Sequence, residues 1–409
     1  MKDSSFKLRF VPISTTPAER NGYNNMKMLK SLILIALAAT FVFSLSACSG
    51  SSDNSSGGTS GSGGGSELPT KSYLIGCNTW GTMPILMMYG DECEYALKTL
   101  GMTTSRASDD NNPDKELQNV QNFISQGVDG IALQGAGATV IPQIAKECLD
   151  AKVPFAMYNF PPRQDFYEDM SANNEYFAGA VVSDLRADGY ILGERAIADG
   201  HRTACMIGGN IGDPNMDNRS GGFQEAFEAG GGVIVGEERC NDNSECLTKA
   251  SSMFSANRDV DCVYIMVSDY VEGTMTALDT LGISGVDAYL SAVNTISADY
   301  VRDGRIVAGS GGTAFSCNVG PTLLVNMLDG HVIRDENGNA PFIRIPTSIV
   351  TQANIDKYMA AFFGDGPAVS EEVIKKLAYR FNPDVTYQTY LDVIANDLTV
   401  DAIIRSKGL

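Results

Sequence analysis

From Lys71 onward, short apolar runs alternate with longer stretches in which apolar side chains recur every three or four positions. The runs 72–78, 103–107, 129–134, 153–159, 178–183, 203–208, 232–237, 260–267, 286–293 and 305–309 read as strands. The stretches 85–100, 114–126, 138–151, 185–199, 217–229, 243–256, 270–281, 296–303 and 318–329 read as helices, with Gly-containing turns between. A strand every 20–30 residues, each followed by a helix, predicts an α/β fold with parallel sheets and right-handed crossovers. Ten strands exceed the five or six of a typical sheet, so two sheets, and hence two lobes, are expected. Such folds bind ligands beyond the carboxyl ends of their strands. The loops to watch are therefore 79–84, 108–113, 135–138, 159–163, 184–186, 209–218, 268–270, 294–296 and 310–315.

Before Lys71 the pattern is different. Met26-Lys-Met-Leu-Lys30 is a short basic stretch, and Leu32–Phe43 follows as an almost unbroken apolar run. At about 12 residues the run is short of the roughly 20 that a spanning helix needs, and it fits the core of an export signal. Leu45-Ser46-Ala47-Cys48 resembles the bacterial lipoprotein lipobox. That resemblance implies a signal over 26–48, cleavage before Cys48, and a lipid on its sulfur that anchors the chain to a membrane. Residues 1–25 precede a complete signal and read as a misassigned upstream segment, with Met26 or Met28 as the start. Residues 49–66 are a Gly/Ser linker with nothing to bury, reaching roughly 20–25 Å.

Composition narrows the function. The chain has 409 residues, 44% of them apolar, which suits two or three globular domains and excludes disorder throughout. Its net charge is −19; residues 1–48 hold six basic and two acidic side chains, leaving 24 basic and 47 acidic, a net −23, for the remainder. An acidic body argues against nucleic acid as a partner, because phosphate neutralisation needs Lys/Arg-rich surfaces. Only two histidines are present, His201 and His331, so a multi-histidine metal site is impossible. The body has no Walker A motif, zinc-type Cys/His spacing, H-E-x-x-H or nucleophile elbow, and no carboxylate pair at a catalytic spacing. No enzyme activity, metal or cofactor is expected. Cys77, Cys205 and Cys262 fall on predicted strands and read as small core side chains, whereas Cys240 and Cys246 flank a turn and could form a local disulfide.

Five segments, in order, resemble the type I periplasmic binding proteins, the ribose- and galactose-binding class of ABC-importer substrate-binding proteins. They are Asn112–Gln121 running into Ile124–Ile131, then Val153–Asn159, Val182–Gly189, the Arg-x-x-Gly-Phe stretch Asn218–Phe223, and Ile345–Tyr358. The likeness implies two Rossmann-like lobes joined by a three-segment hinge that closes on a ligand. It places the crossings near Ser183–Asp184, Ser310–Gly312 and Arg344–Ser348. Lobe 1 is then 70–183 plus 311–344, and lobe 2 is 184–310 plus 345–409. Sugar-responsive repressors share this fold but carry a DNA-binding helix-turn-helix where this chain has a signal and linker.

A sugar asks for an aromatic stack on its C–H faces and planar hydrogen-bonding side chains for its hydroxyls. Trp80, the sole tryptophan, follows the first strand and is the candidate stacking wall. Gln134 ends the third strand, where the family commonly has Asn. Asn159-Phe160 ends the fourth, where the family often has Asp-Arg. Arg219 matches the family's binding arginine. Asp269 follows the eighth strand, and Asn294 follows the ninth, where the family usually has Asp. The family's glutamine near the second crossing is replaced by Gly309-Ser-Gly-Gly-Thr313. The expectation is a monomeric, lipid-anchored, extracytoplasmic carrier that delivers a pentose or hexose to ABC permease subunits. A modified sugar, a nucleoside or another polar solute stays open as ligand. A sensor docking on a membrane receptor or kinase, and more remotely a lipid-anchored hydrolase, are the alternatives.

Overall fold

The computed structural model describes residues 68–82, 84–135 and 139–409. Cys48, the export signal and the Gly/Ser linker lie outside the described residues. Among the described residues there are twelve strands: β1 (Leu74–Thr79), β2 (Thr103–Ser108), β3 (Gly130–Leu133), β4 (Phe155–Asn159), β5 (Phe177–Ser183), β6 (Thr203–Gly208), β7 (Val233–Arg239), β8 (Cys262–Ile265), β9 (Asp287–Leu290), β10 (Ile306–Gly311), β11 (Phe342–Ile345) and β12 (Ser348–Val350). The helices are α1 (Pro84–Thr99), α2 (Pro113–Gln126), α3 (Ile141–Ala151), α4 (Gln164–Asn173), α5 (Leu185–Ala198), α6 (Pro214–Ala229), α7 (Asn243–Ala256), α8 (Val271–Leu281), α9 (Ala298–Arg302), α10 (Phe315–Leu328), α11 (Ile355–Phe362), α12 (Glu371–Lys376), α13 (Tyr387–Asp397) and α14 (Val400–Ser406). A 3-10 turn, Ser268–Tyr270, precedes α8.

Local chemistry explains the boundaries. The Asn112 side chain accepts from the Asp114 and Lys115 amides, Pro113 opens α2, and Gly127 closes it at φ 74°. Asp213 caps α6 in the same way ahead of Pro214. The central strands bury nearly every side chain, because helices cover both faces of each sheet.

The strands form two six-stranded sheets, ordered β11-β5-β4-β3-β1-β2 and β12-β10-β9-β8-β6-β7. All pairings are parallel except β10 with β12. The chain passes between the lobes three times on the way: from β5 into α5, from β10 into α10, and from β11 into β12. The crossings are tied to one another. Ser183 Oγ donates to the Thr313 carbonyl at 2.9 Å, and the Asp184 amide donates to the Ile345 carbonyl at 2.9 Å.

The carboxyl-terminal stretch departs from the expectation that 345–409 belongs wholly to the second lobe. α11 packs on that lobe, but α12 and α13 lie against α1 and α10 of the first. Asn326 Nδ2 donates to the Leu377 carbonyl at 2.8 Å, and Tyr390 Oη and Thr322 Oγ1 are 2.7 Å apart. The buried pair Arg380–Asp329 closes at 2.7 Å, while Arg380 also donates to the Leu100 and Lys71 carbonyls. α14 then returns to α11, and Lys407 Nζ donates to the Ala361 carbonyl at 2.7 Å. The segment is a strap across both lobes.

Every described cysteine is buried and unpaired, including Cys240 and Cys246. Burial pushes the Cys240 thiol up to about 12, and the Cys246 thiol reaches the Tyr270 carbonyl at 3.4 Å. Among the described residues no helix is long and apolar enough to cross a membrane.

Candidate functional site

In the first lobe the carboxyl ends of β2, β1, β3 and β4 lie side by side and deliver Asp109, Trp80, Gln134 and Asn159-Phe160 to one edge. Asp109 is buried and fully engaged. Its Oδ2 accepts from Asn78 Nδ2 at 2.7 Å, and its Oδ1 accepts from the Gly81 and Asn111 amides at 3.0 Å each. Asn119 Nδ2 in turn donates to Asn78 Oδ1 at 2.9 Å. This network fixes the turn after β1, where Trp80 sits half-buried against the core. Gln134 Oε1 accepts the Trp80 amide at 3.1 Å, so the two are held together.

Two buried side-chain donors at this edge, Gln134 Nε2 and Asn159 Nδ2, have no hydrogen-bond partner among the described residues. Asn159 also holds φ at 70°, a left-handed conformation that Asn tolerates better than most residues and that turns the chain at the end of β4. Phe160 follows, half-buried against the core.

In the second lobe Arg219 projects from α6. Glycines let α5 and α6 meet backbone to backbone: a Cβ at Gly189 would fall 2.0 Å from the Arg219 carbonyl oxygen, and one at Gly222 would fall 2.0 Å from that of Arg186. That contact sets Arg219 Nε 2.9 Å from Asp188 Oδ2, a pair buried on both sides. Asp188 Oδ1 accepts from Thr347 Oγ1 at 3.0 Å. The two Nη groups of Arg219 have no partner among the described residues and are free to donate in a fork.

Asp269 lies in the 3-10 turn after β8, and Asn294 follows β9. Asn294 Oδ1 accepts the Ile296 amide at 2.9 Å. Both residues line a cavity of about 260 Å³ between the lobes, together with Ile85 and Met88 of α1, Thr295, Ile296 and Phe363. Asp269 is exposed at this wall, yet its packed surroundings raise its carboxyl above the ordinary value, with the Arg219 charge pulling the other way.

Six of the seven sequence candidates lie at or after strand ends, whereas Arg219 lies in the second turn of α6; of the seven, only Asp269 and Asn294 line the cavity. Trp80 pairs with Gln134, and Asp269 shares a cavity with Asn294. Asp188 was missed as a site residue, although the stretch Val182–Gly189 contains it. Ile85, Met88 and Phe363 were also missed; apolar side chains in or just beyond helices carry no signal distinguishing a cavity wall from a core.

With this geometry in place the comparisons are informative. A family model for the periplasmic binding protein domain matches residues 81–316, more than half of the chain, and the chain belongs to that family. The ribose import binding protein of Salmonella typhimurium is 22% identical over 226 residues, which are 55% of this chain and 74% of that protein. Among solved structures, the periplasmic ribose ABC transporter from Conexibacter woesei aligns with a TM-score of 0.62 at 18% identity, covering 73% of this chain and 97% of its own. An ABC transporter periplasmic solute binding protein from Actinobacillus succinogenes, with bound D-allose, aligns at 0.61 and 16% identity over 70% of this chain and 100% of its own.

Proposed function

We propose that this chain is the monomeric, extracytoplasmic receptor of an ABC importer. It captures a pentose, a hexose or a related polar solute between its lobes and delivers it to the permease subunits, held at the membrane by a lipid on Cys48. The observation that carries the sugar reading is the pair of unsatisfied amide donors, Gln134 Nε2 and Asn159 Nδ2, on neighbouring strand ends. A buried donor without a partner costs about 1–3 kcal/mol, and ring and hydroxyl oxygens of a sugar are acceptors of the right kind. The free Nη groups of Arg219 and the Asp269 carboxylate supply a donor fork and an acceptor from the facing lobe. The ribose and D-allose in the names of the relatives point to the same ligand class. No catalytic step is proposed.

Thermal unfolding of the purified protein against a panel of pentoses and hexoses tests the reading. A ligand at 100 times its Kd stabilises the native state by about 2.7 kcal/mol, a clear rise in Tm. An unchanged Tm with every sugar, up to millimolar concentration, overturns it.

A further inference from the structure

The strap joins the lobes by two links besides the three crossings. Residues 363–370 lead from α11 on the second lobe to α12 on the first. Leu398 and Thr399 lead from α13 on the first lobe back to α14, which packs on α11. The crossings themselves lie close together, as the bonds from Ser183 to Thr313 and from Asp184 to Ile345 require. Neighbouring segments of this kind form a narrow axis, and lobes joined only there swing as the crossings absorb changes in φ and ψ.

The strap grips the first lobe well away from that axis. α10 leaves the second crossing at Phe315, and its 14 residues carry the chain about 21 Å before Asp329. Tyr390 holds the strap to Thr322 and Asn326 along this helix, and Arg380 holds it to Asp329 at the far end. Beyond that end His331 Nε2 lies 2.8 Å from the Val385 carbonyl oxygen. On the second lobe α14 buries Val400, Ile403 and Ile404, and its first amide donates to Ser348 Oγ at 3.4 Å, beside the third crossing. Lys407 completes this grip through the Ala361 carbonyl of α11.

Neither link holds slack that a wide swing could take up. Two residues reach roughly 7 Å at full extension. Here Leu398 is buried, and the Thr399 side chain is occupied in capping α14. In the longer link Ala368 and Val369 are buried, and the Ala368 amide donates to the Glu92 carboxylate on α1. We infer that the strap is a splint on the hinge, which limits how far the ligand-free lobes open. Opening beyond that limit requires α14 to leave α11 or the strap to leave α10, and both contacts are buried.

Fluorescence energy transfer in the ligand-free full chain tests this. Asp114→Cys and Ile211→Cys place one dye on each lobe, at exposed positions past the carboxyl ends of β2 and β6, in a chain carrying Cys48→Ser. Insertion of about eight Gly/Ser residues between Leu398 and Thr399 adds a reach of roughly 15 Å to the shorter link. The expected result is a longer and broader dye separation with the insertion than without it. An unchanged separation in a folded insertion variant overturns the inference. Ser348→Ala combined with Lys407→Ala removes two bonds to the second lobe and leaves the buried side chains of α14 in place. If thermal unfolding shows that the insertion variant does not fold, this pair decides: a longer separation supports the splint, and an unchanged one overturns it.

Discussion

Under the proposed function Arg219 has two jobs that one substitution cannot separate by affinity alone. Its Nε neutralises Asp188, which has no exposed side-chain surface, and no described residue accepts from its Nη groups. Removing it leaves a carboxylate buried with a threonine hydroxyl as its remaining side-chain donor. Breaking one side of such a pair costs about 3–5 kcal/mol. Arg219→Ala is therefore expected to lower unfolding stability by that amount in urea, with or without sugar, and to weaken sugar binding by a further ~2 kcal/mol. Unchanged ligand-free stability would show that the pair contributes nothing to the fold. The Arg-x-x-Gly-Phe setting singled out Arg219 in the sequence; nothing there singled out its ion-pair partner, because the spacing of Asp188 and Arg219 does not show that Gly189 and Gly222 bring their helices into backbone contact.

At the level of elements, the strands were readable because a strand covered on both faces writes an apolar run into the chain, as Phe155–Asn159 and Phe177–Ser183 do. The helix α4 escaped because only Tyr167 and Met170 of its ten residues are buried, too few to make a stripe. The two short strands that complete the sheets, Phe342–Ile345 and Ser348–Val350, are three or four residues long and depend on neighbours far away in sequence. The helices of the strap are short as well, and their destination is set by single contacts such as Arg380 with Asp329, Leu100 and Lys71. Because both members of that ion pair are buried, Arg380→Ala is expected to cost about 3–5 kcal/mol in unfolding free energy, read by urea denaturation. A loss below about 1 kcal/mol, the size expected for an exposed pair, would mean that the strap rests on the first lobe only loosely.

For the whole molecule, three crossings and a strap join the two lobes. Under the proposed function, ligand adds contacts from both lobes at once, so the liganded form is expected to be the more closed. Small-angle X-ray scattering should show a smaller radius of gyration with a binding sugar than without, and an identical profile would argue that the lobes do not move. The net charge of −19 bears on partners at the same scale: an anionic solute meets a repulsive field on approach, whereas a neutral sugar does not. The buried thiols have a practical corollary for watching that motion. Because no described cysteine is exposed, a maleimide dye finds no native thiol at the surface of the described residues. One new surface cysteine placed on each lobe would take the label ahead of every described native thiol, and the pair would serve as a fluorescence ruler for hinge opening without any of those thiols being replaced.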